Sequence, residues 1–179
     1  MPPKPKFTKE MLIQAAIELA KEGGLEAIVA RNLGAKLDTA PSTIFTHFNS
    51  VEEIRQAVIA EARVLYNRYV EEGLRMVPPM KGFAVQYIRF AMEEPMLYSV
   101  LFMKKREDFK YVDFIVDEGH YEKIITAAET DFSLNREQAE FVYHNMWAYA
   151  HGLAVMSATG VCKFSIDEIA QMLGMACRS

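Results

Sequence analysis

Hydrophobic residues recur every three to four positions along most of the chain, which is the spacing of helices that bury one face. The first run holds Leu12, Ala15, Ala16 and Leu19, and it ends at a pair of glycines that stop a helix. Nowhere do apolar and polar residues alternate with a period of two over a useful length. The pattern therefore predicts an all-α fold with about nine helices.

Capping and helix-breaking residues predict where these helices lie. Thr8 can cap the first helix, and two short helices follow at about 29–37 and 41–48, separated by a tight turn at Asp38-Thr39. Asn135 and Ser165 are placed to cap the last two helices. Beyond residue 80, helices are predicted at about 81–93, 95–106, 112–130, 136–158 and 166–177.

A long helix divides the chain into two parts. Ser50 and Glu53 form a capping box at its start, and Pro78-Pro79 is expected to end it. A helix of that length measures about 40 Å. It can tie a small head, residues 1–50, to a larger body, residues 51–179.

Composition favours an ordinary globular chain. Its 179 residues are 51% hydrophobic and 25% charged, enough to bury a core without a disulfide or a metal. Cys162 and Cys177 do not form the cysteine framework of a small secreted protein. No basic and apolar leader precedes Phe7, so we expect no export signal and a cytoplasmic location.

One stretch raises the question of a membrane. From Phe141 to Cys162 the chain has no Asp, Glu, Lys or Arg, and its length alone could span a bilayer. Histidines, tyrosines, an asparagine and two glycines interrupt it, whereas real spans are far more apolar. We expect no membrane contact, and we interpret the stretch as a helix buried in a core or a subunit interface.

Charge permits a nucleic-acid partner without indicating one. The net charge is −4, but residues 1–50 hold six basic and five acidic groups. The segment Met1–Lys6 is either a basic arm that reaches DNA or a frayed terminus.

The two short helices and the turn between them have the form of a helix-turn-helix. In that motif the second helix enters the major groove while the first crosses the backbone. Four small polar side chains are expected to face bases or phosphates: Ser42, Thr43, Thr46 and His47. Ile44, Phe45 and Phe48 are expected to face the core of the head. The alternative is a helical hairpin with no nucleic-acid role.

The run LDTAPSTIFTHFNSVEEI resembles the signature of the TetR family of bacterial transcriptional regulators, and LIQAAIELAKEGGLEAIVARNLGAKL before it matches the family's first two helices. In the body, YIRFAMEEPMLYSVLFM and WAYAHGL resemble a C-terminal class named for a Trp-His-Gly motif. The resemblance implies a homodimer that binds palindromic double-stranded DNA and responds to a small-molecule effector, usually as a repressor. The expected DNA-contacting residues are Arg31, Thr39, Pro41, Ser42, Thr43, Thr46 and His47.

The chain departs from the family pattern at five positions. Val29 replaces a Thr or Ser cap, Phe45 a Tyr, and Val51 a Lys, and each change removes a group that meets a phosphate. Asp38 replaces a Gly, although Asp tolerates a left-handed conformation. Ala40 replaces a Ser cap, which the preceding threonine could provide. A second hypothesis is therefore a sensor or interaction protein of the same fold with weakened DNA binding.

The body is expected to hold both the effector and the dimer interface. Methionines and aromatic residues are concentrated after residue 80 and could line an apolar cavity, with plain core packing as the alternative. The residues predicted for the pocket are Tyr87, Phe102, Tyr121, Trp147 and His151. The resemblance implies that the last two helices pair with their symmetry mates, through Met146, Leu153, Met156, Ile169, Met172 and Leu173.

An enzyme is the third hypothesis. Glu140, His144 and His151 share a helix face at a spacing compatible with metal ligands, and Glu118 and His120 could complete the site. No phosphate-binding loop, nucleophile elbow or HExxH pattern accompanies them. The basic run 104–106 suits a helix C-terminus or, alternatively, an anion contact. We expect no enzymatic activity, no metal and no cofactor.

Overall fold

The computed structural model describes residues 7–103 and 118–176, and within them every regular element is a helix. The all-α prediction is confirmed. The eight α-helices are α1 Lys9–Gly23, α2 Ala30–Lys36, α3 Val51–Leu74, α4 Pro79–Glu93, α5 Pro95–Phe102, α6 Glu118–Phe132, α7 Arg136–Ala158 and α8 Ile166–Ala176. Two 3₁₀-helices, Leu25–Ala27 and Pro41–Thr46, complete the described elements. The segments 1–6 and 104–106, and Cys177, lie outside the described residues.

The predicted caps begin the helices. At Thr8, Ser50, Asn135 and Ser165 a side-chain oxygen accepts a backbone N–H at 3.0 to 3.3 Å. Asn135 and Gln138 bond each other's backbone, which makes a complete capping box. These local bonds explain why four helix starts could be located from the sequence.

Helix α3 ends at Leu74, earlier than the predicted stop at Pro78-Pro79. Its 24 residues span about 36 Å. The reason lies in the tertiary structure: Gly73 packs directly against Gly82 of α4, so the chain must turn back within a few residues. A Cβ on Gly73 would lie 2.7 Å from the carbonyl oxygen of Gly82.

Helix α4 is the centre of the body. It contacts α3, α5, α6, α7 and α8, and ten of its fifteen residues are buried. In the head, α1 packs against α2, and Leu33 of α2 and Ile44 of the second 3₁₀-helix are fully buried in a hydrophobic core that continues into the body. Helix α3 joins the two parts, because it contacts both α1 and α4.

Helix α7 contains most of the uncharged stretch. Its inner face is buried at Tyr143, Met146, Ala150 and Leu153, whereas Phe141 and Tyr149 are exposed. None of the helices in the described parts of the chain is long and apolar enough to cross a membrane.

We expect Gly82→Ala to destabilise the chain by about 1–3 kcal/mol, because the added Cβ would meet the Gly73 backbone, which cannot move without separating α3 from α4. Gly174→Ala is the matched control, since its Cβ would lie 3.5 Å from the flexible end of Lys81. Urea unfolding measures both variants. Equal stability of the two would contradict this account of the contact.

Candidate nucleic-acid interface and effector site

The turn between α2 and the following 3₁₀-helix is fixed by a close backbone contact. Thr39 donates its N–H to the carbonyl of Gly34 at 2.9 Å, and a Cβ on Gly34 would lie 2.8 Å from the Thr39 carbonyl oxygen. Asp38 has φ 49°, the left-handed conformation predicted for it. Together these residues set the angle at which the second helix of the motif leaves the first.

The second helix of the motif is the 3₁₀-helix Pro41–Thr46, called here the recognition helix. Ile44 anchors it in the core of the head and is fully buried. Thr46 donates its hydroxyl to the carbonyl of Thr43 at 2.7 Å, inside the helix. Within the described residues no side chain caps its start, so Thr39 does not replace the missing Ser.

The structure corrects the predicted orientation of Phe45, which has an exposed fraction of 47% instead of facing the core. A 3₁₀-helix has three residues per turn, so Phe45 lies above Ser42 on the outer face while Ile44 points inward. Sequence periodicity missed this because it assumed an α-helix running to about Phe48.

The other predicted contact residues of the motif are distributed over its surface. Arg31, Pro41, Ser42 and Thr46 are exposed, whereas Thr39, Thr43 and His47 are half-buried.

His47 also has a structural partner. Its Nε2 lies 3.1 Å from the carbonyl oxygen of Phe7, to which it donates, and the two rings are in contact. The histidine therefore ties the start of α1 to the end of the recognition helix.

Positive charge on the head is partly neutralised. Lys36 lies 2.9 Å from Glu22 and 3.1 Å from Glu18, and its bonds to these carboxylates raise the pKa of its ammonium group. Lys9 lies over the ring of Phe48, 4.8 Å from its centre. At Val29, no side chain among the described residues caps α2. Among these cationic groups of the described head, Lys36 and Lys9 have partners in the chain, and Arg31 is exposed near the start of α2.

A second cluster lies in the body, where α4, α5 and α7 meet. The hydroxyls of Tyr87 and Tyr98 both lie 2.8 Å from Nδ1 of His151, and 3.3 Å from each other. Trp147 stacks on the His151 imidazole, with ring centres 4.6 Å apart. Phe102 meets both tyrosines edge-on or tilted, at 5.1 to 5.2 Å.

Four of the five residues predicted for the pocket are therefore neighbours. The exception is Tyr121, which contacts Tyr143 and Arg136, nearer the start of α7. Tyr98 belongs to the cluster although it was not among the five predicted. Its position in the segment that resembles the family, eleven residues after Tyr87, was the available signal.

The direction of these hydrogen bonds depends on the tautomer of His151. In the tautomer that leaves Nδ1 unprotonated, this nitrogen has one lone pair, so one tyrosine donates to it and the other tyrosine donates to the first. The proton of His151 then resides on Nε2, for which no acceptor is found among the described residues. Burial lowers the pKa of His151 and raises the pKa of Tyr98 to about 12. At neutral pH the cluster is uncharged, and in this tautomer it presents an N–H donor beside aromatic rings.

No protein-family model matches the chain. It is 25% identical over 179 residues to the uncharacterized HTH-type transcriptional regulator Rv0681 of Mycobacterium tuberculosis, covering 97% of this chain and 80% of that protein. It is 24% identical over 107 residues to the uncharacterized HTH-type transcriptional regulator YobS of Bacillus subtilis. That match covers 58% of this chain and only 56% of the length of YobS.

Two solved structures are similar over nearly the whole chain. A TetR-like transcriptional regulator from Rhodococcus sp. RHA1 has a TM-score of 0.66 at 14% identity, covering 98% of both chains. A Clostridium perfringens protein, described as a fatty acid metabolism regulator, has a TM-score of 0.63 at 13% identity and covers 92% and 94% of the two chains. The chain has the fold of the TetR-like regulators.

Burial within the single chain decides which residues of α7 and α8 are open to a partner. Met146, Leu153, Ile169 and Leu173 have exposed fractions of 8% or less within the single chain, so they pack its own core and are withdrawn as interface residues. Met156 and Met172 are half-buried and stay predicted. The large apolar side chains that α7 and α8 expose are Phe141 at 70%, Tyr149 at 40% and Met175 at 73%.

The groups proposed for a metal site have other partners in the TetR fold. Glu140 bonds Arg136 at 2.8 Å, and Nε2 of His120 lies 3.4 Å from Glu71. His151 belongs to the tyrosine cluster. Across residues 7–103 and 118–176 no three His, Cys, Asp or Glu side chains converge as metal ligands would, and nothing is described for the side chain of Glu118.

The pKa of His151 generates a prediction for stability. Because burial lowers that pKa in the folded chain, the unfolded chain takes up the proton first as the pH falls. The free energy of unfolding should be highest above the unfolded pKa of about 6.5 and should decrease below it. We expect His151→Gln to show a weaker decrease than the wild type between about pH 7.5 and 5.5.

Urea unfolding at several pH values measures this difference. His144→Gln, the same substitution elsewhere on α7, is the control and should keep the decrease seen in the wild type. An identical pH dependence for His151→Gln and the wild type would contradict the assignment.

Proposed function

We propose that this chain is a transcriptional regulator of the TetR type, which binds DNA through its head as a homodimer and is released by a small effector bound in its body. The observation that carries the proposal is the fixed turn at Gly34 and Thr39. It holds a short helix with Ser42, Phe45 and Thr46 facing outward. Both curated relatives are described as HTH-type transcriptional regulators, which supports the same function.

The proposed dimer forms through the outer faces of α7 and α8. Phe141, Tyr149 and Met175 are large apolar side chains exposed there, and the adjoining stretch carries no charge. A second copy of the chain related by a two-fold axis would cover the same residues on both protomers. The two recognition helices would then meet successive major grooves of a palindromic operator.

The proposed effector site is the cluster of Tyr87, Tyr98 and His151 with its aromatic walls. An apolar or aromatic molecule that carries a hydrogen-bond acceptor matches an Nε2–H donor set beside Trp147 and Phe102. The Clostridium perfringens relative is described as a regulator of fatty acid metabolism, so fatty acids belong in the first screen.

A physical link joins this site to the head. Tyr98 lies on α5, and α5 packs against α1 of the head. Lys21 of α1 pairs with Glu94, the residue before α5, at 2.6 Å. An effector that binds one position of α5 more tightly than another would shift α1, and with it the spacing of the two recognition helices.

A second candidate function keeps the fold and loses tight DNA binding. The observations that favour it are the pairing of Lys36 with two carboxylates and the missing cap at Val29, since both reduce phosphate contacts among the described residues. Such a protein would bind a protein partner or an effector without an operator.

Selection of bound sequences from a random duplex pool, at low and moderate salt, separates the two functions. A regulator should enrich a palindrome whose half-sites lie about one helical turn apart. Retention without sequence preference, lost at moderate salt, would contradict operator binding and favour the second function.

We expect Arg31→Ala to weaken binding to all duplexes and to reduce the slope of log affinity against log salt by about one, because one phosphate contact is lost. Arg68→Ala, an exposed arginine in the body part of α3, is the control and should leave the slope unchanged. Fluorescence anisotropy at four salt concentrations measures both. An unchanged slope for Arg31→Ala would remove this residue from the interface.

We expect Tyr149→Glu to convert the dimer to a monomer, because it places a charge in the apolar face of α7, and to reduce operator affinity with it. Val64→Glu is the control, since Val64 is exposed to 48% on α3. Sedimentation velocity gives the oligomeric state. A wild type that is already monomeric at micromolar concentration would contradict the proposed interface.

A further inference from the structure

Phe45 is an exposed aromatic side chain in the middle of a small polar surface. It has an exposed fraction of 47%, whereas Ile44 and Phe48 beside it have 0% and 2%. The head is therefore well packed around it. Three residues per turn place the ring over Ser42, on the face of the recognition helix that points away from the head.

The recognition helix lacks the side chains that usually read bases. Residues 39–48 contain no Arg, Lys, Asn, Gln, Asp or Glu, which are the side chains that pair with guanine, adenine or cytosine edges. Two polar groups of this segment have partners within the head, because Thr46 donates to the Thr43 carbonyl and His47, just after the recognition helix, donates to the Phe7 carbonyl. Hydroxyl groups alone distinguish bases weakly, since they can donate or accept.

One major-groove edge carries an apolar group, the C5-methyl of thymine, and an aromatic ring is a suitable contact for it. We propose that Phe45 reads a thymine in each half-site of the operator through that methyl group, and so determines specificity. This inference rests on the proposed DNA-binding function. When the thymine methyl packs against the exposed ring of Phe45, it is removed from water, which stabilises the complex. Cytosine and uracil have no methyl group at this position, so thymine is preferred.

Uracil provides the test, because it differs from thymine only by the missing methyl. The probe is the duplex enriched by the full-length chain from the random pool, with each thymine replaced singly by deoxyuridine. We expect one position in each half-site at which the replacement weakens binding about four-fold, the factor for one methyl group. Replacement in both half-sites should weaken binding about fifteen-fold.

The variant Phe45→Ala links the effect to the ring. It should bind the thymine duplex more weakly than the wild type and should no longer distinguish thymine from deoxyuridine at that position. Met11→Ala is the control, because Met11 is an apolar residue of the head with an exposed fraction of 50% and lies on α1. It should keep the wild-type ratio. Thermal unfolding verifies that each variant is folded, and the deoxyuridine series on the wild type tests the proposal without any variant.

The outcomes separate this inference from the proposed function. If the wild type binds the enriched duplex but no deoxyuridine weakens binding, the inference is wrong and the DNA-binding function stands. The same conclusion follows if Phe45→Ala keeps the wild-type ratio. If no sequence is enriched from the pool, the proposed function itself fails.

Discussion

The contact between α3 and α4 at Gly73 and Gly82 is the constraint on which the body depends. Two backbones approach so closely there that neither glycine has room for a Cβ. The approach ends α3 at Leu74 and brings α4 into the centre, where five other helices enclose it. The candidate effector site is assembled around α4. Tyr87 lies on that helix, and α5 and α7, which carry Tyr98 and His151, both pack against it.

A similar contact organises the head. Gly34 allows the Thr39 carbonyl to pack against α2, and the left-handed Asp38 completes the turn. The recognition helix is short, so its orientation comes from this turn and from the buried Ile44, and its own hydrogen bonds contribute little. A motif fixed by backbone contacts tolerates many side chains on its outer face, because those side chains do not hold the turn in place.

The cluster around His151 shows how burial sets chemistry. Two phenols and one imidazole share three hydrogen-bonding atoms, and burial disfavours the charged form of each, raising the pKa of both tyrosines and lowering the pKa of His151. A neutral site can enclose an apolar molecule at a low cost in free energy, because no charged group has to be removed from water. Since Tyr98 lies on α5 and α5 touches α1, the same groups that would hold the effector adjoin the path to the head.

The sequence by itself determined the all-helical fold, four of the helix starts and the helix-turn-helix pattern. Capping boxes and helical periodicity depend on residues three or four positions apart, so Ser50, Asn135 and Ser165 were assigned correctly. The prediction that Tyr87, Trp147 and His151 lie near one another came from the resemblance to the TetR family. The spacing of these residues along the chain did not predict it.

Only the tertiary structure decided which face of each helix is covered. Met146 and Leu153 are apolar and suit either a core or an interface, and the packing of α7 on α4 assigned them to the core. Phe45 was expected inside because an aromatic ring in an α-helical pattern is usually buried, and the 3₁₀ geometry turned it outward. Local sequence patterns predict hydrogen bonds between residues that are close in the chain. The burial of a side chain depends on helices that are distant in the chain.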